Sequence, residues 1–384
     1  MPTRREFITQ TSLAAAAATA AASPIARAVA AETKKNSIDT NTANTPSTPT
    51  APGTPTTPLA SHRTLKTWRI PHTDLSVTRI AYGCAMLGLD WNSPDFIART
   101  IPAIEAAYEH GIRFFDTADV YGYGKAEMAL GRVMKQRPGM RQSIVVQSKC
   151  GDRFAQGGQV DNSRAHILAS VDGSLQRLGT DHLDILLLHW PDSLVEPDEV
   201  AYAFDELKAS GKVRWFGVSN HSPEQIEILK RSVREPLVIN QIQLGLGSWT
   251  VPTPPGKAAL THTTLGASVV DYCRAHDMQV QAYAPLRVGY AENAPNLLRP
   301  AADASPEVKK AAATLAQVAK AHTTTPDAIM LAWLLRHPAH IVPIIGATKP
   351  EHVAQNCAAD RIELTREEWY TLLDAAAAIP QAAG

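Results

Sequence analysis

The chain has 384 residues, 45% of them hydrophobic, enough for one large core or two smaller ones, and α/β barrels commonly reach this size as single domains. Lys plus Arg and Asp plus Glu each total 37, so the formal charge is zero. No overall field therefore favours a nucleic acid or an anionic membrane surface, and neither is expected as a partner.

At the N-terminus, Thr3-Arg4-Arg5-Glu6-Phe7-Ile8 opens a charged segment followed by an Ala-rich stretch to Ala31. Ala28-Val29-Ala30 supplies an A-x-A-like cleavage site. Residues 1–31 resemble a twin-arginine (Tat) signal peptide, which implies the Tat translocase as a transient partner and a periplasmic or otherwise extracytoplasmic destination. The stretch carries too few large apolar side chains for a permanent anchor, so no stable membrane insertion is expected. Residues 32–64, rich in Thr, Pro, Ala, Asn and Ser, read as a disordered linker with little apolar surface to offset the entropy of ordering. The folded part is then expected over 65–384. Cys84, Cys150, Cys273 and Cys357 are widely spaced and form no CxxC or Cys/His metal pattern, so free buried thiols and no metal site are expected.

From Leu65 onward, short aliphatic runs alternate with longer amphipathic stretches, as in βα units with a parallel sheet. Strands are predicted at Arg79–Tyr82, Ile112–Phe115, Ile144–Ser148, Ile185–Leu188, Val213–Val218, Val238–Asn240, Gln279–Tyr283 and Ile341–Ile345. Helices are predicted at Ser93–His110, Ala126–Lys135, Ser163–Leu178, Asp198–Ser210, Pro223–Ser232, Ala267–His276 and Glu307–His322. Eight such repeats predict an α/β fold, a closed (β/α)8 TIM barrel, and in barrels the chemistry sits where strands end.

Polar residues at the predicted strand ends form a coherent set. Asp116 follows "RFF", with Tyr121 five residues on; Lys149 follows "IVVQS"; His189 ends "LDILLLH"; Ser219-Asn220 follow "WFGV"; Asn240-Gln241 follow "LVI"; Tyr283 ends "QVQAY". Taken singly, each has a plainer reading: a cap or turn for Asp116 and Ser219-Asn220, packing for Tyr121 and Tyr283, a solvated side chain for Lys149, an ordinary rim residue for His189.

The motifs "FFDTADVYGYG", "VVQSKCG", "LDILLLHWPD", "GKVRWFGVSN", "VINQIQ", "QAYAPL" and "VPIIGATKPEHVAQN", in this order from about Leu65 to Ala375, closely resemble the aldo-keto reductases, and "LDWN" and "SKCG" resemble a bacterial oxidoreductase branch. The resemblance implies a catalytic tetrad of Asp116, Tyr121, Lys149 and His189. Hydride reduction of a carbonyl leaves charge on its oxygen that must be stabilised and protonated. Tyr121 would supply the proton, Lys149 would make the phenol more acidic, Asp116 would hold Lys149 charged, and His189 would orient the substrate oxygen. The substrate implied is a small or medium aldehyde or ketone.

The same resemblance implies a nicotinamide dinucleotide across the barrel mouth, with Ser219, Asn220 and Gln241 on the carboxamide, Tyr283 stacked on the ring, and Pro285 and Leu286 beside it. Gly346, Thr348, Lys349, His352, Gln355 and Asn356 would hold the adenosine end, where a helix start with Pro350 at its first position suits phosphate. Many family members carry a basic residue early in this loop and an arginine where this chain has His352. Lys349 is here the clear cation, and NADPH is expected ahead of NADH. Trp91, Trp190 and Trp249 are candidate apolar walls, with lid pieces at 86–91, 153–162, 247–266 and 287–306.

"GYGKAE" at 122–127 has the spacing of neither common glycine-rich nucleotide fingerprint and reads as a turn before a helix; no GxGxxG follows the first strand, which disfavours a Rossmann fold. Two other functions compete. An exported redox sensor or regulatory subunit would hold the dinucleotide with little turnover. A barrel hydrolase would need a second acid facing Asp116, and the strand ends offer none.

Overall fold

The computed structural model describes residues 64–85, 90–153, 159–247, 266–287 and 296–379. The proposed signal, the linker up to residue 63, Trp249 and most of the predicted lid pieces lie outside these residues. The described chain opens with a hairpin, β1 (Thr67–Arg69) paired antiparallel with β2 (Ser76–Thr78). Eight strands follow: β3 (Ala81–Gly83), β4 (Phe114–Asp116), β5 (Val145–Cys150), β6 (Leu183–Leu188), β7 (Val213–Ser219), β8 (Leu237–Gln243), β9 (Gln279–Tyr283) and β10 (Val342–Ile345). They pair in parallel in chain order, and β10 returns to β3 to close the barrel. The (β/α)8 barrel read from the alternation is the observed fold.

Side-chain alternation sets what lies inside. Ile185 and Leu187 of β6 cluster with Phe114, Ile239, Val342 and Ile344, whereas Leu186 and Leu188 pack among helix residues. Successive strand side chains point to opposite faces, so the first set fills the barrel and the second faces the helical shell. Ile70, Leu75 and Val77 of the hairpin region join the interior cluster, so the hairpin closes one end of the barrel. Alternation also puts Asp116 inside with Phe114, and Lys149 with Gln147.

The outer helices mostly match the predicted segments, shifted by a few residues. Ser163 caps Arg164–Leu178 by accepting from the His166 N–H, and Ser222 and Gln225 form a reciprocal capping box on Pro223–Lys230. The first barrel strand begins at Ala81, two residues later than predicted, because Arg79 turns aside to donate 2.9 Å to Asp360 at the far end of the chain. The hairpin was not anticipated, since three-residue strands are too short to show alternation. Nor was the helix Pro326–Leu335, whose residues from Ala328 to Leu335 are all buried; a helix covered on every side has no polar stripe to reveal its period. All four cysteines are buried and unpaired, as expected. No helix among the described residues is long and apolar enough to cross a membrane.

Candidate active site

The residues expected to carry chemistry meet at the carboxyl ends of the strands. Asp116 closes β4, Lys149 is next to last in β5, and His189 directly follows β6, its N–H donating 2.8 Å to the Cys150 carbonyl. Lys149 is fully buried. Its Nζ donates to Asp116 Oδ2 at 2.7 Å, to the Thr117 carbonyl at 2.8 Å and to Tyr121 Oη at 3.3 Å. All three ammonium protons thus have acceptors. A buried ion pair survives only with such full hydrogen bonding.

Tyr121 reaches this point through a tight turn over 121–124, in which Gly122, Tyr123 and Gly124 all have positive φ, before the helix Lys125–Gln136. Gly124 combines φ +84° with close approach: a Cβ there would lie 2.6 Å from Arg177 Cδ. The "GYGKAE" segment is therefore the turn expected, and it presents the phenol. The His189 ring meets Tyr121 edge-on at 5.5 Å, and Trp190 lies nearly parallel to His189 at 6.2 Å. Trp190 is buried, its carbonyl held by Asn162 Nδ2 at 3.0 Å, so it backs the imidazole. Trp91, partly exposed, stands 6.2 Å from the Tyr121 ring as a wall residue.

Burial dominates the electrostatics. It pushes the Tyr121 phenol well above its ordinary value, with the Asp116 charge adding to the effect. This corrects the expectation of a more acidic phenol: the cost of placing a phenolate there outweighs the favourable ammonium, and the hydroxyl keeps its proton at neutral pH. Burial lowers Lys149, opposed by the charge and hydrogen bond of Asp116. Burial, then the Lys149 charge, holds His189 well below the ordinary imidazole value, so the ring is neutral.

Around the rim, Ser219 Oγ donates 2.9 Å to the Gln241 carbonyl. Asn220, at φ +63°, donates 3.0 Å to the His189 carbonyl and accepts 2.9 Å from Tyr283 Oη. Tyr283 ends β9 partly exposed; Pro285 and Leu286 follow, the first buried and the second partly exposed. After the neighbouring strand β10, Gly346, Lys349 and Gln355 are exposed, and Thr348 and His352 partly so. Tyr82 Oη donates 2.9 Å to the Ala347 carbonyl and anchors this loop. The helix Pro350–Cys357 starts without a side-chain cap; Pro350 has no N–H and those of His352 and Val353 donate to the Lys349 carbonyl, which leaves the Glu351 N–H for an anionic group among the described residues, and a Cβ at Gly346 would meet open space. These features fit a dinucleotide phosphate held by the loop from Gly346 to Lys349. Asn356 differs from its neighbours: it is buried and donates 2.6 Å to Asp327, so its amide is already engaged.

Several residues at the site were not singled out from sequence. Asp152 Oδ2 stands 3.9 Å from His189 Nδ1. Gln147 and Gln281 lie inside the barrel, both bonded into the Asp116 cluster. The signal was present: Gln147 lies two residues before Lys149 and Gln281 two before Tyr283, the period that puts each on its partner's face.

The aldo/keto reductase family model matches residues 79–377. The chain belongs to the aldo/keto reductase family. It is an NAD(P)H-dependent aldo-keto reductase, an oxidoreductase, and the match begins just after the β1–β2 hairpin. The uncharacterized oxidoreductase YcsN of Bacillus subtilis is 34% identical over 311 residues, covering 79% of this chain and 95% of that protein. The 6-dehydroglucose reductase of Agrobacterium fabrum is 33% identical over 305 residues, covering 78% and 94%. Among solved structures, an aldo-keto reductase from Klebsiella pneumoniae in complex with NADPH superposes with a TM-score of 0.64 at 28% identity, covering 83% of this chain and 97% of that one.

Proposed function

We propose that this reductase converts small or medium aldehydes or ketones to alcohols with NADPH, Tyr121 acting as the general acid. The observation that carries the reading is the hydrogen-bonded run Asp116–Lys149–Tyr121 beside a neutral His189. The bound dinucleotide supplies hydride to the carbonyl carbon. Tyr121, protonated at neutral pH, donates from Oη to the carbonyl oxygen. Lys149, already 3.3 Å from Oη, stabilises the charge left on the phenol as the proton departs, a task that gains strength where water is excluded. Asp116 keeps the ammonium charged and aimed. A neutral imidazole can donate one hydrogen bond to the substrate oxygen and so orient it.

NADPH is favoured over NADH because Lys349 and His352 stand at the loop and helix start where a further phosphate would lie, and the Klebsiella relative was solved with NADPH. A sugar-derived carbonyl is one candidate substrate, given the name of the Agrobacterium relative. Export as a folded protein through the Tat route rests on Arg4-Arg5 and the Ala-rich stretch. Replacing both arginines with lysine should trap the precursor in the cytoplasm; unchanged export would refute the route.

The activity is tested by mixing purified protein, NADPH and a panel of aldehydes and ketones and following loss of the reduced cofactor's absorbance. The wild type should turn over many times. Tyr121→Phe should bind NADPH as before while turnover falls by about 10²–10⁴-fold, the usual worth of a general acid. Tight binding without turnover by the wild type would favour a sensor.

A further inference from the structure

Below the catalytic residues, three glutamines and Asp116 form one connected group. Gln147 Nε2 donates to Asp116 Oδ1 at 2.6 Å and to Gln281 Oε1 at 2.8 Å. Gln241 Nε2 donates to the same two atoms, at 2.9 and 2.8 Å. Gln281 Nε2 returns 2.9 Å to Gln147 Oε1. All four residues are buried, at 3% exposure or less.

The orientation of each amide follows from chemistry. The carboxylate that pairs with Lys149 can only accept, so Gln147 and Gln241 must both turn nitrogen toward Asp116. Their second N–H groups then converge on Gln281 Oε1, filling both of its lone pairs. That fixes Gln281 with its nitrogen toward Gln147 Oε1. Only Gln241 Oε1 is left without a donor among the described residues. If Gln241 were flipped, this oxygen would face two acceptors at under 3 Å, and a buried amide so placed loses its hydrogen bonds and gains repulsion.

We propose that Gln147 and Gln281 are positioning residues, which with Asp116 lock the Gln241 amide nitrogen-inward and present its Oε1 as the acceptor for the nicotinamide carboxamide N–H. The inference rests on the dinucleotide-binding reading above and extends it: the same carboxylate that holds Lys149 also sets the polarity of the cofactor contact. Pre-setting that amide removes an ordering cost at binding.

The test measures dissociation constants of NADPH and of 2′,5′-ADP, which lacks the nicotinamide end, for the purified wild type, Gln281→Leu and Gln281→Asn. Gln281→Leu removes the acceptor that holds Gln241, and NADPH binding should weaken by about tenfold, the scale of one lost hydrogen bond. Binding of 2′,5′-ADP should stay within about twofold on the same scale. Should Gln281→Leu fail to fold, Gln281→Asn, polar but one methylene shorter, is expected to show the same selective loss. Unchanged NADPH affinity in a folded variant, or equal weakening of both ligands, overturns the proposal. Binding of neither ligand by the wild type overturns the dinucleotide reading beneath it as well.

Discussion

Asp119 illustrates how a single carboxyl can be shaped by this rim. Its N–H bonds the Lys149 carbonyl, and its Oδ1 is buried without a partner. Burial, helped by the Glu127 and Asp152 charges, pushes its carboxyl from 3.8 up to about 7. The folded state therefore holds this proton more tightly than the unfolded chain does. Ionising it costs stability, a cost fully present above pH 7 and relieved as pH falls toward 3.8. Asp119→Asn cannot ionise, so it should raise unfolding free energy at pH 8 by roughly 1 kcal/mol or more and by less at pH 5. Denaturant titrations at the two pH values check this, and an equal effect at both would count against it. At this same scale the tetrad was legible in the sequence because each member follows a strand and carries chemistry by type. Gln147, Gln281 and Asp152 were less so, since amides inside strands and an acid in a loop have ordinary structural readings.

At the level of elements, close packing outweighs intrinsic propensity. Gly131 lies in the helix Lys125–Gln136, where alanine would gain about 1 kcal/mol in helix propensity. A Cβ there, however, would sit 2.6 Å from the Leu178 carbonyl oxygen and 2.8 Å from that of Arg177, both backbone atoms at the end of the neighbouring helix. Overpacking of this kind costs typically about 1–3 kcal/mol. Gly131→Ala should therefore lower the denaturant midpoint with an unchanged m-value, and a raised midpoint would show that the helices can part at little cost. The eight barrel strands were legible because their apolar runs are bounded by breakers and spaced by amphipathic helices. The β1–β2 hairpin and the helix Pro326–Leu335 were not, the one for brevity and the other for uniform burial.

For the whole molecule, two buried neutral histidines govern the acid side. His221, whose Nδ1 lies 2.8 Å from the Ser219 carbonyl, is lowered by burial to about 4, and His189 is held well below 6.5. Unfolded histidines titrate near 6.5, so the stability these rings contribute is complete above that pH. It is lost as pH falls from 6.5 toward 4, because the unfolded chain takes up protons that the fold refuses. Two such protons, less the one that Asp119 already holds, give a loss of about 1.4 kcal/mol per pH unit, to which His166 and His337, also lowered by burial, add. Unfolding midpoints from pH 7 to pH 5 should fall accordingly, and a flat profile would show that the rings reach solvent. The proposed reduction requires hydride to reach a carbonyl carbon beside Tyr121. Its most direct test is a single turnover with NADPH deuterated at the transferable position, followed by mass and NMR analysis of the alcohol. One deuterium on the carbinol carbon, appearing about 10²–10⁴-fold more slowly with Tyr121→Phe, is the predicted result; cofactor bound across the carbonyl panel with no deuterium transferred would contradict it.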